Sequence, residues 1–462
     1  MTLRVAVVGG GWAGMAAAIE AAGPGVALTL FEASRTLGGR ARALPLQRPD
    51  GRTVRLDNGQ HILIGAYHQT LACMQDVGIP LHTALLPLPL GLPFPDGTGL
   101  QSPAWVRNWP AQPALLATML TARGWRWTDR MALVRTVSGW RRRSFRCQAS
   151  DTAADVCRGL GPRVMADLIE PLCVSALNLP TRQASGSIFL RVMQDAMLGT
   201  GFGHWRASTL LLPRIDLGSL FPERAAQWLV RCHGAGVTLR TGTRVTSMQR
   251  DGSAWRLKGP GVDQTFDQVI WATTAAQATQ AMASTARTCP ADTGDNAAQD
   301  LLHWSESCAQ LDFTAITTVY AWSAGLRLPG PMLALREAPG APPQFVFDRG
   351  QLAPDDPAMQ GILAFVISAS QGGRDDLEQA VMRQAREQLG LTSLAPFQTL
   401  VDRRATFACT PGIRRPAQCV TQGILAAGDY VDGPYPATLE AAVRSGQAAG
   451  KSVRDRVRSA QA

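Results

Sequence analysis

The first residues whose types and spacing indicate chemistry are three glycines near the N-terminus. Gly9, Gly11 and Gly14 form a G-x-G-x-x-G pattern, and the acidic residue Glu32 follows it. Glycine at these positions permits a tight turn, lets the backbone approach a pyrophosphate, and lets a helix pack closely against a strand. A carboxylate at Glu32 can accept hydrogen bonds from ribose hydroxyls. The pattern therefore predicts that the chain binds a dinucleotide.

Two strands and one helix are needed to position these residues. Residues 3–8 are apolar at nearly every position, residues 15–22 are rich in alanine, and residues 26–31 form a second apolar run that ends at Glu32. The order strand, glycine turn, helix, strand places the positive end of a helix dipole against the diphosphate. We therefore predict an α/β fold that begins with a dinucleotide-binding βαβ unit.

The residues after Glu32 indicate which dinucleotide is bound. They end in Gly38, Gly39 and Arg40, and the stretch resembles the E-x-x-x-x-x-G-G-R continuation of the FAD family that contains amine oxidases, phytoene desaturases and protoporphyrinogen oxidase. The resemblance implies that FAD is the cofactor and that these three residues lie beside its pyrophosphate. Arg40 would donate bidentate hydrogen bonds to the phosphate oxygens.

A second match to the same family lies near the C-terminus. An apolar strand ends at Gly428-Asp429, and a helix rich in small residues begins soon afterwards. In the family this carboxylate lies near the ribityl chain and the pyrophosphate. The helix N-terminus, assigned here to Thr438 and Leu439, faces the pyrimidine edge of the flavin. The resemblance also places Val245 beside the adenine.

A third stretch of residues indicates which group within this FAD family the chain resembles. Residues 56–67 read L-D-N-G-Q-H-I-L-I-G-A-Y and, together with G-G-G-W-A-G at the start, resemble the squalene-associated FAD-dependent desaturases. That group comprises the bacterial hydroxysqualene dehydroxylases of hopanoid biosynthesis. His61 and Asp57 are our first catalytic candidates, and Gln60 and Tyr67 are further polar groups expected near the flavin. The alternative to a catalytic role, for each of these residues, is that it only orients the flavin or stabilises the loop.

The motifs and the resemblance together give one set of predicted FAD-binding residues. They are Gly9, Gly11, Trp12, Ala13, Gly14, Glu32, Ala33, Gly38, Gly39, Arg40, Asn58, Gly59, Gln60, Val245, Gly428, Asp429, Thr438 and Leu439.

The implied reaction is a reduction. Reduced FAD would give a hydride to the carbinol carbon of hydroxysqualene, the hydroxyl would leave as water with the help of an acid, and squalene would form. Three alternatives stay open. They are an oxidative desaturase of a carotenoid-type polyprenyl chain, an amine oxidase, and a lipid carrier with this fold that performs no redox chemistry.

Composition limits the other possibilities. The chain has 462 residues and a net charge of +10, and its nine cysteines and six histidines are scattered, so we predict no metal site. No apolar run is long enough for a transmembrane helix. The cofactor motif begins almost at Met1, which argues against a cleaved signal peptide and favours a cytoplasmic location. A peripheral association with the inner face of the cytoplasmic membrane is compatible with that location.

One segment carries much of the positive charge. Residues 105–146 contain nine arginines, five tryptophans (Trp105, Trp109, Trp125, Trp127 and Trp140) and one acidic residue, Asp129. Arginine, interfacial tryptophan and an apolar stripe are typical of a helix on a membrane surface. A solvated helical face over a core is the alternative, and nothing in the chain resembles a nucleic-acid-binding module. A long apolar isoprenoid substrate would need a portal, for which this segment and the proline-rich residues 84–95 are candidates. A partner synthase could hand over that substrate.

The strand and helix patterns predict two interleaved domains. The FAD-binding domain is expected to comprise residues 1–83, 205–285 and 405–462, and the mixed α+β substrate-binding domain residues 84–204 and 286–404. Within the second domain, residues 313–322, 344–347 and 361–368 have strand patterns that suit an antiparallel sheet, and residues 375–389 have a helical pattern. A loop is predicted from Pro290 to Asp295.

Overall fold

The computed structural model of the protein describes residues 2–289 and 296–461, so the loop predicted from Pro290 to Asp295 lies outside the described residues. The strands are β1 Leu3–Val8, β2 Val26–Phe31, β3 Ala43–Gln47, β4 Thr53–Asp57, β5 Leu63–Ile64, β6 Leu85–Leu88, β7 Leu92–Pro93, β8 Gly99–Leu100, β9 Leu210–Pro213, β10 Val237–Arg240, β11 Ser247–Asp251, β12 Ala254–Gly259, β13 Val262–Phe266, β14 Gln268–Trp271, β15 Phe313–Trp322, β16 Met332–Ala334, β17 Phe345–Asp348, β18 Ile362–Ser368, β19 Ala395–Phe407, β20 Cys419–Thr421 and β21 Ile424–Ala426. The α-helices are α1 Trp12–Ala21, α2 His68–Asp76, α3 Leu81–Ala84, α4 Ala111–Leu120, α5 Trp127–Arg142, α6 Ala153–Val156, α7 Pro162–Val164, α8 Glu170–Leu177, α9 Gly186–Leu198, α10 Leu217–Leu220, α11 Pro222–His233, α12 Ala275–Thr288, α13 Ala297–Ala309, α14 Arg349–Leu352, α15 Arg374–Leu389 and α16 Leu439–Gln461.

A six-stranded sheet forms the centre of the fold, in the order β10-β2-β1-β14-β21-β20. Its first five strands run parallel, and β20 pairs antiparallel with β21. Along β1, Val5 and Val7 pack in the apolar cluster that includes α1 and α16, whereas Ala6 and Val8 pack in the cluster on the opposite face. Both faces are covered, which explains why the strand is apolar at consecutive positions.

A second sheet is antiparallel and has the order β16-β17-β18-β15-β19. On one face, Val319, Phe365 and Ile367 pack against Leu377 and Val381 of α15. The other face is turned toward a cavity described below. Alternate residues of these strands therefore serve either the α15 core or the cavity wall.

Helices α4, α5, α8 and α9 pack together on the cavity side of this sheet, and Met165–Ile169 forms a π-helical turn directly before α8. The proline-rich residues 84–95 are extended for most of their length: β6 pairs with β9, and the short β7 pairs with β8. Proline explains this, because its ring fixes φ and removes a backbone donor, so the stretch cannot continue as a helix.

Several element boundaries differ from those expected. The first helix begins at Trp12 rather than at residue 15, because Gly11 already provides its N-cap. The composition of residues 237–248 predicts one strand, but the strand is interrupted after Arg240 and resumes at Ser247. The pattern of residues 220–233 predicts a helix, which begins at Pro222 rather than at Leu220 because proline favours a first helical position. The domain boundaries given above stay a prediction.

No helix among the described residues is both long enough and apolar enough to cross a membrane.

Candidate functional site

A cavity of about 960 Å³ lies at the carboxyl ends of the parallel strands and extends under the antiparallel sheet toward the helices. Ligands bind at this edge in open α/β sheets, because the loops after the strands meet there. Seventeen of the eighteen predicted FAD-binding residues line the cavity: Gly9, Gly11, Trp12, Ala13, Glu32, Ala33, Gly38, Gly39, Arg40, Asn58, Gly59, Gln60, Val245, Gly428, Asp429, Thr438 and Leu439.

Gly14 is the predicted residue that does not line the cavity, and the structure gives it a packing role. A Cβ at Gly14 would lie 1.9 Å from the carbonyl oxygen of Gly9. Gly9 itself has φ +114°, a conformation that other residues rarely adopt. The close approach of the two residues places the start of α1 directly over the end of β1.

The start of α1 is open to the cavity. Its N-cap, Gly11, has no side chain to accept from the first-turn N–H groups, and no acidic residue stands in that turn. These N–H groups have no partner inside the helix, and together with the helix dipole they form a site for an anion. A Cβ at Gly11 would meet nothing closer than 3.8 Å, so the cradle is open for a diphosphate.

The carboxylate of Glu32 is fixed by the backbone on both sides. Its Oε2 accepts from the N–H of Gly10 and its Oε1 from the N–H of Ser34, each at 2.7 Å. These bonds hold the carboxylate at the end of β2 in the cavity wall. Each oxygen keeps lone-pair capacity that suits two ribose hydroxyls.

The glycine pair of the G-G-R motif packs against the first glycine turn. Gly38 and Gly39 have φ values of +110° and +62°, and the N–H of Gly38 donates to the carbonyl of Gly10 at 2.9 Å. Both turns therefore lie on one wall of the cavity. The positive φ angles explain the need for glycine in this motif.

Arg40 makes contacts within the protein that the motif did not predict. Its guanidinium forms an ion pair with the buried carboxylate of Asp429, and its Nη1 donates to the carbonyl of Ala405 at 2.6 Å. Arg40 lines the cavity, but part of its donor capacity is already used in joining the N-terminal and C-terminal motifs. The sequence motifs gave no signal for this pairing.

The far wall is formed by the start of α16. The hydroxyl of Thr438 accepts from the N–H of Ala441 at 3.2 Å, and Leu439 is the first residue of the helix. Val245 lies in the connection between β10 and β11. With an anion cradle, a ribose carboxylate and two helix N-termini on one cavity, the residues fit FAD.

The loop after β4 carries His61 and Gln60 into the cavity. Nδ1 of His61 lies 2.9 Å from the carbonyl of Gly59, to which it donates, so Nε2 is left as an acceptor. Burial lowers the pKa of His61, so the ring is neutral. Gln60 accepts from Nη1 of Arg349 at 2.9 Å. A neutral His61 in this tautomer can act in the cavity as a hydrogen-bond acceptor through Nε2.

Tyr67 also lines the cavity and is an O–H donor there. Burial raises the pKa of Tyr67, so its hydroxyl keeps its proton. Its ring meets that of Tyr435 edge to face, with centroids 6.4 Å apart. Tyr67 and His61 therefore bring an uncharged donor and an uncharged acceptor to the same cavity.

The catalytic assignment of Asp57 is not supported by its position. Asp57 is buried but does not line the cavity, and its Oδ1 accepts from the N–H of Leu217 at 2.7 Å. Oδ2 has no hydrogen-bond partner among the described residues. The hydroxyl of Tyr320 donates to the backbone carbonyl of Asp57 at 2.8 Å. Asp57 positions the loop. The period-2 pattern of β4 puts it on the face of the exposed Thr53 and Arg55, so its burial could not be read from the sequence.

We expect Asp57→Asn to remove a pH-dependent loss of stability. Burial raises the pKa of Asp57 to about 7, against which Arg349 acts, whereas an unfolded carboxyl titrates near its ordinary value. The folded state therefore binds the extra proton, and stability is full below about pH 4 and is lost as pH rises through 7. The asparagine keeps an acceptor for Leu217 and carries no charge.

Urea unfolding at pH 4.5 and pH 8 measures this effect. The stability of the wild type relative to Asp57→Asn should fall by about 4 kcal/mol over the whole titration, at 1.36 kcal/mol per pKa unit. Asp263→Asn, at an exposed carboxylate, is the control and should follow the wild type. Equal pH dependence of wild type and Asp57→Asn would contradict this assignment.

Sequence reasoning did not identify the residues that line the apolar part of the cavity. Beyond the FAD-binding residues the cavity continues as an apolar chamber, which is lined by Leu90, Leu100, Leu115, Met119, Leu133, Val137, Trp140, Leu168, Ile169, Leu172, Val192, Met193, Ala196, Met197, Leu210, Phe345, Phe347 and Val366. Of the five tryptophans of residues 105–146, Trp125 and Trp140 are buried in the core, whereas Trp105, Trp109 and Trp127 are exposed. The period of the α5 pattern could have shown this for Leu133, Val137 and Trp140.

Known proteins share this chain's sequence features and fold. The sequence profile of the family described as flavin containing amine oxidoreductase matches residues 12–453. The hydroxysqualene dehydroxylase of Rhodopseudomonas palustris is 25% identical over 481 aligned residues, which cover 98% of this chain and 99% of that protein. A carotenoid phi-ring synthase of Streptomyces griseus is 40% identical over 97 residues, 21% of this chain and 18% of that protein.

The fold is shared with solved structures. An oxidoreductase from Methanosarcina mazei superimposes with a TM-score of 0.68 at 14% identity, over 96% of this chain and 99% of that one. The profile match spans nearly the whole chain and includes the N-terminal helix, the G-G-R turn and the C-terminal helix that line the cavity. The chain is an FAD-dependent oxidoreductase and belongs to the flavin containing amine oxidoreductase family.

Proposed function

We propose that this FAD-dependent oxidoreductase acts on a long polyprenyl chain and removes the hydroxyl group of hydroxysqualene to give squalene. The observation that carries the proposal is the continuity of one cavity, which joins the FAD-binding residues to the apolar chamber. The full-length similarity to a hydroxysqualene dehydroxylase supports the same assignment.

The chamber suits an apolar chain that carries one polar group. Its walls are formed by aliphatic, methionine and aromatic side chains from α4, α5, α8 and α9. Polar side chains lie closer to the FAD end, among them Asn178, whose Nδ2 donates to Thr314 and Thr406 at 2.8 and 2.9 Å. A buried hydrocarbon tail contributes about 25 cal/mol per Å² of area removed from water. The tail would therefore occupy the chamber and leave the carbinol at the polar end.

The chemistry requires that a carbon–oxygen bond breaks, a carbon–hydrogen bond forms, and the hydroxyl leaves as water after it gains a proton. Reduced FAD supplies the hydride. In the proposed reaction the protonated hydroxyl of Tyr67 donates a hydrogen bond to the substrate hydroxyl, and Nε2 of His61 accepts one and so orients it. The apolar chamber excludes water from the remainder of the chain, which protects an electron-poor allylic carbon.

An anaerobic experiment tests the proposal. The flavin of the purified protein is reduced with dithionite, hydroxysqualene is added in detergent, and flavin reoxidation is followed while the lipids are analysed by mass spectrometry. Reoxidation with one squalene formed per flavin is the expected result. A flavin that stays reduced beside unchanged hydroxysqualene would refute the dehydroxylation.

A chamber variant shows whether the substrate uses the apolar wall. Ala196→Phe adds a ring to a residue that lines the chamber on α9, while Leu198→Phe introduces the same ring at an exposed position of the same helix. We expect Ala196→Phe to lower kcat/KM at least tenfold with the flavin absorbance retained, and Leu198→Phe to leave it unchanged. Equal kcat/KM for both variants would place the substrate elsewhere.

A second candidate function is the oxidative desaturation of a carotenoid-type polyprenyl chain. The local similarity to a carotenoid phi-ring synthase favours a carotenoid substrate, and the same chamber would accommodate it. Oxidised enzyme that bleaches its flavin on addition of such a polyprene, with a new double bond in the product, would favour this candidate over the dehydroxylase.

A further inference from the structure

We propose that α4, α5 and the turn before them bind the surface of a bilayer that contains anionic lipid, and that the polyprenyl substrate passes between bilayer and chamber at this surface. The second part rests on the proposed function, whereas the first part does not. We call the exposed residues concerned the arginine–tryptophan surface. It comprises Trp105, Trp109, Leu116 and Trp127 with Arg107, Arg123, Arg126, Arg135, Arg141, Arg142, Arg143 and Arg146.

Large apolar side chains are exposed on this surface. Trp105, Trp109, Leu116 and Trp127 are 58%, 44%, 45% and 61% exposed. The rings of Trp105 and Trp109 meet with centroids 5.0 Å apart, and Arg206 holds their turn by donating to the carbonyl of Arg107 at 2.7 Å. Tryptophan suits the interface between headgroups and acyl chains, because its ring is apolar and its N–H is polar.

The charge of this surface is not neutralised by the protein. All eight arginines are exposed, and in the described part of the chain none of them has a carboxylate within ion-pair distance. The one acidic residue of the segment, Asp129, uses its Oδ2 to accept from the N–H of Arg126 at 3.1 Å. Each arginine close to an anionic leaflet contributes about 1 kcal/mol. The complementary partner is therefore a negatively charged surface that also accepts tryptophan.

The two helices place charge and tryptophan side by side. Nη2 of Arg141 lies 3.4 Å from Oε1 of Gln112, so the end of α5 lies beside the start of α4. Arg141–Arg143 are thereby near the turn that carries Trp109, and Trp127 marks the opposite end of α5. A helix of sixteen residues is about 24 Å long. The pair presents an elongated surface with tryptophan at both ends, as an interfacial anchor requires.

The same helices form the wall of the apolar chamber. Leu115 lines the chamber while its neighbour Leu116 is exposed, and on α9 Met197 lines the chamber while Leu198 is exposed. The wall between chamber and exterior is one helix thick at this place. A displacement of side chains between α4 and α9 would connect the chamber to the acyl region of a bound bilayer.

Vesicle flotation of the FAD-loaded full chain tests the binding. We expect it to float with phosphatidylcholine vesicles that contain 30% phosphatidylglycerol and to float at least fivefold less with pure phosphatidylcholine or at high salt, because salt screens the arginines. The variant Arg141→Gln/Arg142→Gln/Arg143→Gln should lose at least fivefold of the bound fraction. Arg224→Gln/Arg231→Gln/Arg383→Gln removes the same charge from exposed positions of α11 and α15 and should float like the wild type.

Two outcomes overturn the binding: a wild type that stays in the aqueous fraction, or equal flotation of both arginine variants. A wild type that instead binds single-stranded nucleic acid with the same arginine dependence, and no vesicles, also overturns it. Flotation does not depend on turnover, so its result is independent of the proposed reaction.

The passage of substrate is tested with the variant Trp105→Ser/Trp109→Ser/Trp127→Ser, whose residues lie outside the cavity wall. We expect its rate with substrate in detergent micelles to match the wild type and its rate with substrate in anionic vesicles to fall at least tenfold. Equal rates in vesicles would refute the entry route. Absence of turnover in micelles with the wild type would refute the reaction and leave the flotation result intact.

Discussion

Replacing Gly14 with alanine is expected to weaken FAD binding, so that the protein is purified with less than one flavin per polypeptide. A Cβ at this position would lie 1.9 Å from the carbonyl oxygen of Gly9, below the 3.0 Å that real contacts respect, so α1 would have to move away from β1 by about 1 Å. The first-turn N–H groups of α1 would then no longer point at the diphosphate. The loss of one hydrogen bond to a charged group, about 1.5 to 3 kcal/mol, corresponds to roughly ten- to hundredfold weaker FAD binding.

The flavin absorbance per polypeptide and the dissociation constant for FAD measure this effect. Gly139→Ala is a matched control, since Gly139 also lies within a helix and its added Cβ would meet only the Arg143 side chain at 3.7 Å. Alanine is favoured over glycine inside a helix by up to about 1 kcal/mol, so this control should keep its flavin and gain stability. A Gly14→Ala protein that retains stoichiometric FAD would show that packing at the glycine turn does not govern cofactor binding.

Local patterns were sufficient for much of the fold. Strands β1, β2 and β15 have the bounds that the sequence predicted. The first two are mostly apolar runs, and β15 is rich in β-branched and aromatic residues, which favour a strand. The connection after Arg240 was missed because residues 241–246 have strand-forming composition. They leave the sheet because Gly242 adopts φ +64° and the N–H of Thr243 donates to the carbonyl of Glu32. That interruption brings Val245 to the cavity.

The site was predictable where a motif fixes backbone geometry and was not predictable where distant side chains meet. The glycine turns at Gly9 and Gly38 lie where expected, because only glycine tolerates their φ angles. The pairing of Arg40 with Asp429 joins residues at opposite ends of the chain, and no local pattern reports it. The bond from Arg349 to Gln60 likewise joins the start of α14 to the loop after β4. Charge alone could not assign these partners among 45 basic residues.

Removing the carboxylate of Asp167 should destabilise the protein strongly, because this buried group joins three elements around the apolar chamber. It accepts from Nε1 of Trp125 at 3.1 Å, from Nε of Arg163 at 2.5 Å and from Nη1 of Arg336 at 2.6 Å. Asp167 lies in the π-helical turn Met165–Ile169, and the residue after it, Leu168, lines the chamber. Breaking a buried ion pair on one side costs about 3 to 5 kcal/mol, since the remaining charge loses its compensation.

The free energy of unfolding of Asp167→Ala, measured in urea, should therefore fall by that amount, and exposure of Trp125 should be visible in the fluorescence of the folded protein. Asp263→Ala removes an exposed carboxylate that pairs with Arg256 and should change stability little. In Asp167→Ala/Arg336→Met, part of the lost stability should return, because a guanidinium that has lost its buried partner and keeps only the exposed carboxylate of Asp96 is gone. The methionine side chain still covers the ring of Phe94, over which the Arg336 guanidinium lies at 4.3 Å. A double variant as unstable as the sum of its single variants would show that Asp167 and Arg336 do not interact, and the wall of the chamber would then depend on packing alone.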